Sequence, residues 1–230
     1  MELGIIGLPQ SGKKSLYELL TGAKASESGD KIIAGVANIR DERFDRLVTM
    51  YTPKKEVPAK INIQLLPKIE SDSIKEGKIF TDISKMDALC HVVRAFRNDS
   101  IYHALGSVDP LRDIAMINNE LIMHDLIFIE KRFERIEAAK KRKPDPRLDA
   151  EEKLLSRMQA HLEEEKHLRT FTFSDEEAKL ISSYPFITVK KMLIVLNVGD
   201  KDIKDTSLVS KVKTSLKELD IEVMQVCAKL

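Results

Sequence analysis

The chain has almost no net charge, few cysteines and no long apolar leader, and each of these absences removes a class of function. Its 38 Lys and Arg residues against 37 Asp and Glu leave a formal charge of +1, so no global field draws it toward nucleic acid or an anionic membrane. Any charge argument must be local. The two cysteines, Cys90 and Cys227, have no paired spacing and both sit in apolar runs, which excludes a disulfide framework and points to buried, inert thiols. No apolar stretch follows a basic N-terminus, so neither a signal peptide nor a membrane span is expected, and a cytoplasmic location is. There is no repeat period and no low-complexity tract. The five histidines are scattered, and His161 and His167, six apart, do not share a helix face as zinc ligands four apart would. No Ser-His-Asp or Cys-His spacing suggests nucleophilic chemistry.

What is present is a core. At 230 residues and 43% hydrophobic, the chain can bury one large domain, or one domain carrying an insertion. Short apolar, β-branched runs predict strands at Glu2 to Ile6, Ile32 to Ile39, Lys60 to Leu66, Ala88 to Ala95, Lys191 to Val198 and Ile221 to Cys227. Runs apolar on both faces are those of strands buried in a mostly parallel sheet. A helix is predicted over Thr206 to Leu219, with Leu208, Val212, Leu216 and Leu219 on one stripe. The alternation predicts a three-layer α/β fold.

The stretch from Asp109 to Tyr184 has no strand character. Ile122, Leu126, Ile129, Phe133 and Ile136 step by four and three, as in a coiled-coil seam. The run Lys140-Lys-Arg-Lys-Pro-Asp-Pro146 then breaks the helix at its prolines, and a second helix from about Leu148 offers Leu155, Met158 and Leu162. This predicts an antiparallel helical hairpin, residues 109–184, inserted into a domain made of residues 1–108 and 185–230. Ser174-Asp-Glu-Glu177 has the form of a capping box starting one more short helix.

Between the first strand and the helical run Ser15-Leu-Tyr-Glu-Leu-Leu20 lies GLPQSGKKS, Gly7 to Ser15. Two glycines five apart followed by lysine form a phosphate-binding loop, in which backbone N–H groups wrap the phosphates. Gln10, Ser11, Gly12, Lys13, Lys14 and Ser15 are the candidate phosphate-binding residues. Such a loop wants Ser or Thr after the lysine as a magnesium ligand, and Lys14 stands there instead. Ser15 lies one residue further, about 100° around the helix.

Several stretches resemble the YchF subfamily of Obg-type P-loop NTPases, also called the Obg-like ATPases. They are LGIIGLPQSGKKSLYELLTG (Leu3 to Gly22), DERFDRL (Asp41 to Leu47), HVVRAFRND (His91 to Asp99), INNELIMHDL (Ile117 to Leu126), SDEEAKLISSYPFITVKKMLIVLNV (Ser174 to Val198) and VCA (Val226 to Ala228). They occur in the family's order. The resemblance implies a nucleotide-binding domain with an inserted helical coiled coil, ATP or GTP as ligand, and association with ribosomes. Family members usually continue into a TGS-like domain; this chain stops at Cys227-Ala-Lys-Leu230, so that domain is expected to be absent, the chain being either naturally short or part of a longer protein.

Against the family's pattern, the magnesium and γ-phosphate side departs three times. Lys14 replaces the loop hydroxyl. The segment Gly22 to Gly35 has no counterpart of the family's switch threonine. Leu65-Leu-Pro-Lys68 stands where Asp-x-x-Gly would hold metal and γ-phosphate. Hydrolysis is therefore expected to be weak or absent, and magnesium is not an expected requirement. The base-reading segment is Asn197-Val-Gly-Asp200: the asparagine is kept, and the acid is the aspartate of guanine-specific relatives rather than the glutamate of YchF, which leaves ATP and GTP both open. Asn197, Val198 and Asp200 are the candidate base-binding residues. The cluster Lys140, Lys141, Arg142 and Lys143 at the hairpin's tip suits RNA phosphates, as on a ribosome, or is a solvated turn. Three readings stand open: a nucleotide sensor with degenerate metal and switch motifs; an active NTPase with substitute ligands; and a scaffold working through its basic hairpin without nucleotide.

Overall fold

The computed structural model describes residues 1–25, 31–67, 69, 78–98, 100–143 and 145–228. The sequence readings at Lys68 and Asp99, and at 26–30 within the Gly22–Gly35 connection, fall outside them. Six strands form one sheet: β1 (Glu2–Ile6), β2 (Ile33–Asn38), β3 (Lys60–Leu65), β4 (Ala88–Arg94), β5 (Lys191–Asn197) and β6 (Ile221–Val226), in the order β2-β3-β1-β4-β5-β6. All neighbours are parallel except the edge pair β2–β3. Each strand lies within a residue of its predicted end; the central strands β1, β4 and β5 are covered on both faces and largely buried, whereas the edge strand β2 alternates half-buried and exposed positions. Ile5 and Ile6 of β1 and Leu89 and Val92 of β4 are fully buried.

Helices α1 (Lys13–Thr21), α2 (Glu42–Tyr51), α3 (Lys78–Ser84), α4 (Pro110–Arg142), α5 (Pro146–Glu163), α6 (Asp175–Ile181) and α7 (Ser207–Ser215) surround the sheet or extend from it. The stripe predicted as one helix to Leu219 divides. α7 ends at Ser215, and Lys217–Leu219 tightens into a 3-10 turn before Asp220 enters the left-handed region at φ 49°. This bend returns Leu219 to the cluster that holds Val212 and Leu216.

At 33 residues, α4 spans about 50 Å. Asp109 caps it by accepting from the Arg112 amide at 3.2 Å. α5 begins at Pro146 rather than Leu148. Asp145 is its N-cap, accepting from Arg147 N at 2.9 Å, and proline at the first helical position loses no intrahelical hydrogen bond. The second proline of the break thus starts a helix. Ile122, Ile129 and Ile136 of α4 bury against Leu155, Met158 and Leu162 of α5. Arg132 donates to the buried Glu151 carboxylate across this contact at 2.5 and 2.8 Å, and the Tyr184 hydroxyl donates to it as well. The capping box at α6 is formed by Ser174 and Glu177. The hairpin is tied to the sheet by Asp125, fully buried, whose carboxylate accepts from Ile187 N, Thr188 N and the Thr188 hydroxyl at 2.7 to 3.2 Å.

The strand order places β1 beside β3 on one side and β4 on the other, so chain connections leave the sheet in opposite directions at the β1–β4 seam. Ligands of open α/β sheets bind outside the carboxyl ends of strands at such a point. Here those ends are Ile6, Arg94 and Asn197; Arg94 and Asn197 stand opposite each other in register.

Candidate phosphate-binding site

The loop after β1 turns on two glycines that no other residue could replace. Gly7 has φ 147°, and a Cβ there would stand 2.3 Å from the Val92 carbonyl oxygen; Gly12 has φ 95°, and its Cβ would stand 2.1 Å from the Asn197 side-chain nitrogen. Between them Gln10 also adopts positive φ, 60°. Lys13 opens α1, only 8% exposed, and its ammonium folds back to donate to the carbonyls of Gly7 and Leu8, the latter at 3.1 Å. The loop is therefore closed on its own lysine, with its backbone at the head of a helix that favours anions.

Beneath the loop, Ser11 and His91 are buried, and the Ser11 hydroxyl and His91 Nδ1 have no hydrogen-bond partner among the described residues. Burial, with the Lys13 charge beside it, pushes His91 down to about 3, so the ring is neutral. His91 borders a small space under the loop together with Leu8, Pro9 and Ser11. Nearby, His103 Nε2 lies 3.1 Å from Asp113 in the first turn of α4.

Asn197 joins the loop to the end of β5. It is 5% exposed; its amide donates to Ser11 O at 3.1 Å, and its side-chain oxygen accepts from Ala228 N at 3.1 Å. A cavity of about 600 Å³ runs from this junction, lined by Gln10, Gly12 and Ser15 on one side and by Asn197, Val198, Gly199 and Asp200 on another. The two sequence-predicted clusters are thus brought together in one space large enough for a ligand of nucleotide size. Asp200 is the one carboxylate among the described residues that line it.

Placement differs from expectation in three respects. Lys14, one of the candidate phosphate-binding residues, is exposed on the first turn of α1 and does not line the cavity, while its neighbour Ser15, another of them, does. One helical step separates the two, and the cavity lies on the Ser15 side. Cys227 is half-buried and also lines the cavity, unlike Cys90, whose burial raises its thiol to about 12; the apolar run that holds Cys227 ends at the sheet's edge, where the chain leaves β6. The third wall, Phe96, Arg97, Asn98 and Ile101, falls in and just after the motif HVVRAFRND, whose spacing gives no sign that it faces the loop.

The residue after Lys13 is Lys14, and Leu65 at the end of β3 and Leu66 just after it are both buried. The described residues of the loop fit a phosphate cradle. No group of three or more His, Cys, Asp or Glu able to hold a metal occurs among the described residues, and no helix among them is long and apolar enough to cross a membrane.

At the far end of the hairpin, Lys140 is paired with Asp149 and Glu152, each at 2.5 Å, and Lys141 with Glu137 at 2.6 Å. Arg142 and Lys143 are exposed.

No protein-family model matches the chain. It is 35% identical over 239 aligned positions to the ribosome-binding ATPase YchF of Bacillus subtilis (strain 168), a match covering 99% of this chain and 65% of that protein. It is 34% identical over 212 positions to Obg-like ATPase 1 of Caenorhabditis elegans, covering 88% of this chain and 53% of that one. The solved structure of the Schizosaccharomyces pombe YchF GTPase matches with a TM-score of 0.79 at 24% identity, over 99% of this chain and 65% of that one. The chain spans less than two thirds of the length of these relatives.

Proposed function

We propose that this chain, whose sequence and fold are those of the YchF and Obg-like proteins, binds ATP or GTP in the cavity between Gln10–Ser15 and Asn197–Asp200 with little or no hydrolysis, as a nucleotide sensor. The observation that carries this reading is the cavity itself, which joins a glycine-turned loop and a buried lysine to a segment bearing one carboxylate. Gln10, Ser11, Gly12 and Lys13 hold the β- and γ-phosphates through backbone N–H groups and the Lys13 ammonium, which leaves Gly7 and Leu8 for the ligand. Ser15 meets the phosphate nearest the sugar. Lys14, outside the cavity lining and exposed one step away, contributes a nearby positive charge to the bound phosphates rather than a direct ligand. Asn197 and Val198 form the base's seat, and Asp200, an acceptor, takes either the two adjacent donors of guanine or the amino group of adenine.

Hydrolysis needs a positioned water and charge stabilisation at the γ-phosphate. The departures at Lys14 and Leu65-Leu66 support slow turnover. In the wider setting, residues 109–184 act as an inserted helical domain whose basic tip, Lys140 to Lys143, contacts ribosomal RNA; the relative from Bacillus subtilis is named as ribosome-binding. Calorimetric titration of ATP and GTP into the protein, with Lys13→Ala as control, tests the reading. Saturable heat that the substitution removes supports it, and no heat with either nucleotide refutes it in favour of a scaffold.

A further inference from the structure

Arg94 ends β4 beside Asn197, yet its guanidinium does not reach the cavity. It is 3% exposed and points into the loop that follows its own strand. Nε donates to Phe96 O at 3.3 Å, one terminal nitrogen to Tyr102 O at 3.1 Å, and the other to both Asn98 O and Ile101 O at 3.1 Å. The same group lies 4.6 Å from the centre of the Phe96 ring. Four carbonyls spread over seven residues thus converge on one planar cation, and three of the residues that supply them, Phe96, Asn98 and Ile101, line the cavity.

From this geometry we infer that Arg94 is a positioning residue for the ligand: it fixes the wall formed by Phe96, Asn98 and Ile101 against the part of the nucleotide that lies beyond the phosphate loop. The inference rests on the reading that the cavity holds a nucleotide. Arginine is required because only its fork offers enough fixed donors to satisfy four carbonyls at once; an ammonium with three donors on a shorter reach cannot do so. Without it these partly buried carbonyls turn toward water and the wall loosens. The phosphate loop is a separate device, held by Asn197 and by its own glycines. Removal of Arg94 therefore weakens the hold on base and sugar while leaving the phosphates gripped as before.

The test compares ATP and GTP with inorganic tripolyphosphate, which has phosphates and no nucleoside. Arg94→Lys is expected to weaken both nucleotides by about tenfold or more and to leave tripolyphosphate within about twofold. Equal weakening of all three ligands would mean that Arg94 only holds the fold together, and unchanged nucleotide binding would mean that the wall is idle; either overturns the inference. If the unsubstituted protein binds neither kind of ligand, the nucleotide reading itself falls and the inference with it. Hydrogen exchange on the unsubstituted protein gives an answer even if the variant does not fold. Amides of Phe96, Asn98 and Ile101 should slow with nucleotide and not with tripolyphosphate, and identical exchange in the two complexes would overturn the role.

Discussion

The side chain of Asn197 donates to the carbonyl of Ser11 at 3.1 Å, joining the end of β5 to the loop after β1 across 186 residues of sequence. Its oxygen receives Ala228 N in turn. One buried amide thereby sets the distance between the phosphate end and the base end of the cavity.

Replacing Asn197 with alanine leaves the Ser11 carbonyl and the Ala228 amide without partners in a buried setting. The expected loss is about 2 kcal/mol of stability and a fall in Tm of roughly 4–8 °C. Nucleotide affinity should fall more than affinity for inorganic tripolyphosphate, because the base seat moves with Asn197. Differential scanning calorimetry and competition binding measure the two effects, and an unchanged Tm would mean that the bracket is not made in solution.

Acid should destabilise the fold before its carboxylates protonate. Burial holds both His91, beside Lys13, and His167, beside Arg169 and His161, down to about 3, whereas an unfolded histidine titrates near 6.5. The unfolded state therefore binds more protons between these values, so stability is full above about pH 6.5 and falls as the pH drops toward 3, with a slope of up to about 1.4 kcal/mol per pH unit for each ring. Urea midpoints at pH 7, 5.5 and 4.5 should decline in that order. His91→Gln should flatten part of the slope; a midpoint constant across this range would contradict the buried, neutral rings.

The two thiols should separate in a labelling experiment. Cys90 is buried with its thiol raised to about 12, while Cys227 borders the cavity. Iodoacetamide at pH 8 should modify Cys227 and spare Cys90 in the folded protein. ATP or GTP should slow the reaction, and peptide mass analysis that finds equal labelling with and without nucleotide would place the ligand elsewhere.

On the hairpin, Lys140 and Lys141 are already engaged with Asp149, Glu152 and Glu137, so Arg142 and Lys143 are the stronger candidates for meeting phosphate. Reversing both to glutamate should weaken ribosome or RNA binding and lower the salt dependence by about 0.7 to 0.9 in log–log slope for each phosphate no longer neutralised. Co-sedimentation at several salt concentrations reads this out, with no change in slope marking the tip as a plain solvated turn.

Much of this was legible in the sequence because burial on both faces leaves a strand few options. The six apolar runs carry their own boundaries, and Gly7 and Gly12 mark the loop positions whose φ values of 147° and 95° call for glycine. The hairpin's inner residues were readable from spacing alone, as Ile122, Ile129 and Ile136 must share a stripe. What escaped depends on meetings between residues far apart in the chain. Nothing local shows that Cys227 faces Gln10 across a cavity, or that Lys140 meets Asp149 and Glu152 on the returning helix. Nor does the sequence show that Arg94 donates to the loop that follows it. Pro146 departs from expectation for a different reason: proline both breaks and begins helices, and only the Asp145 cap decides which.

The most direct measurement is the affinity of ATP and GTP in excess magnesium and again in EDTA, with the Lys13→Ala variant alongside. The account predicts binding that changes by less than about threefold between the two conditions and is lost in the variant, since Lys14 stands where the metal's hydroxyl ligand would be. Binding that vanishes in EDTA would contradict it and mean that magnesium finds other ligands on this chain.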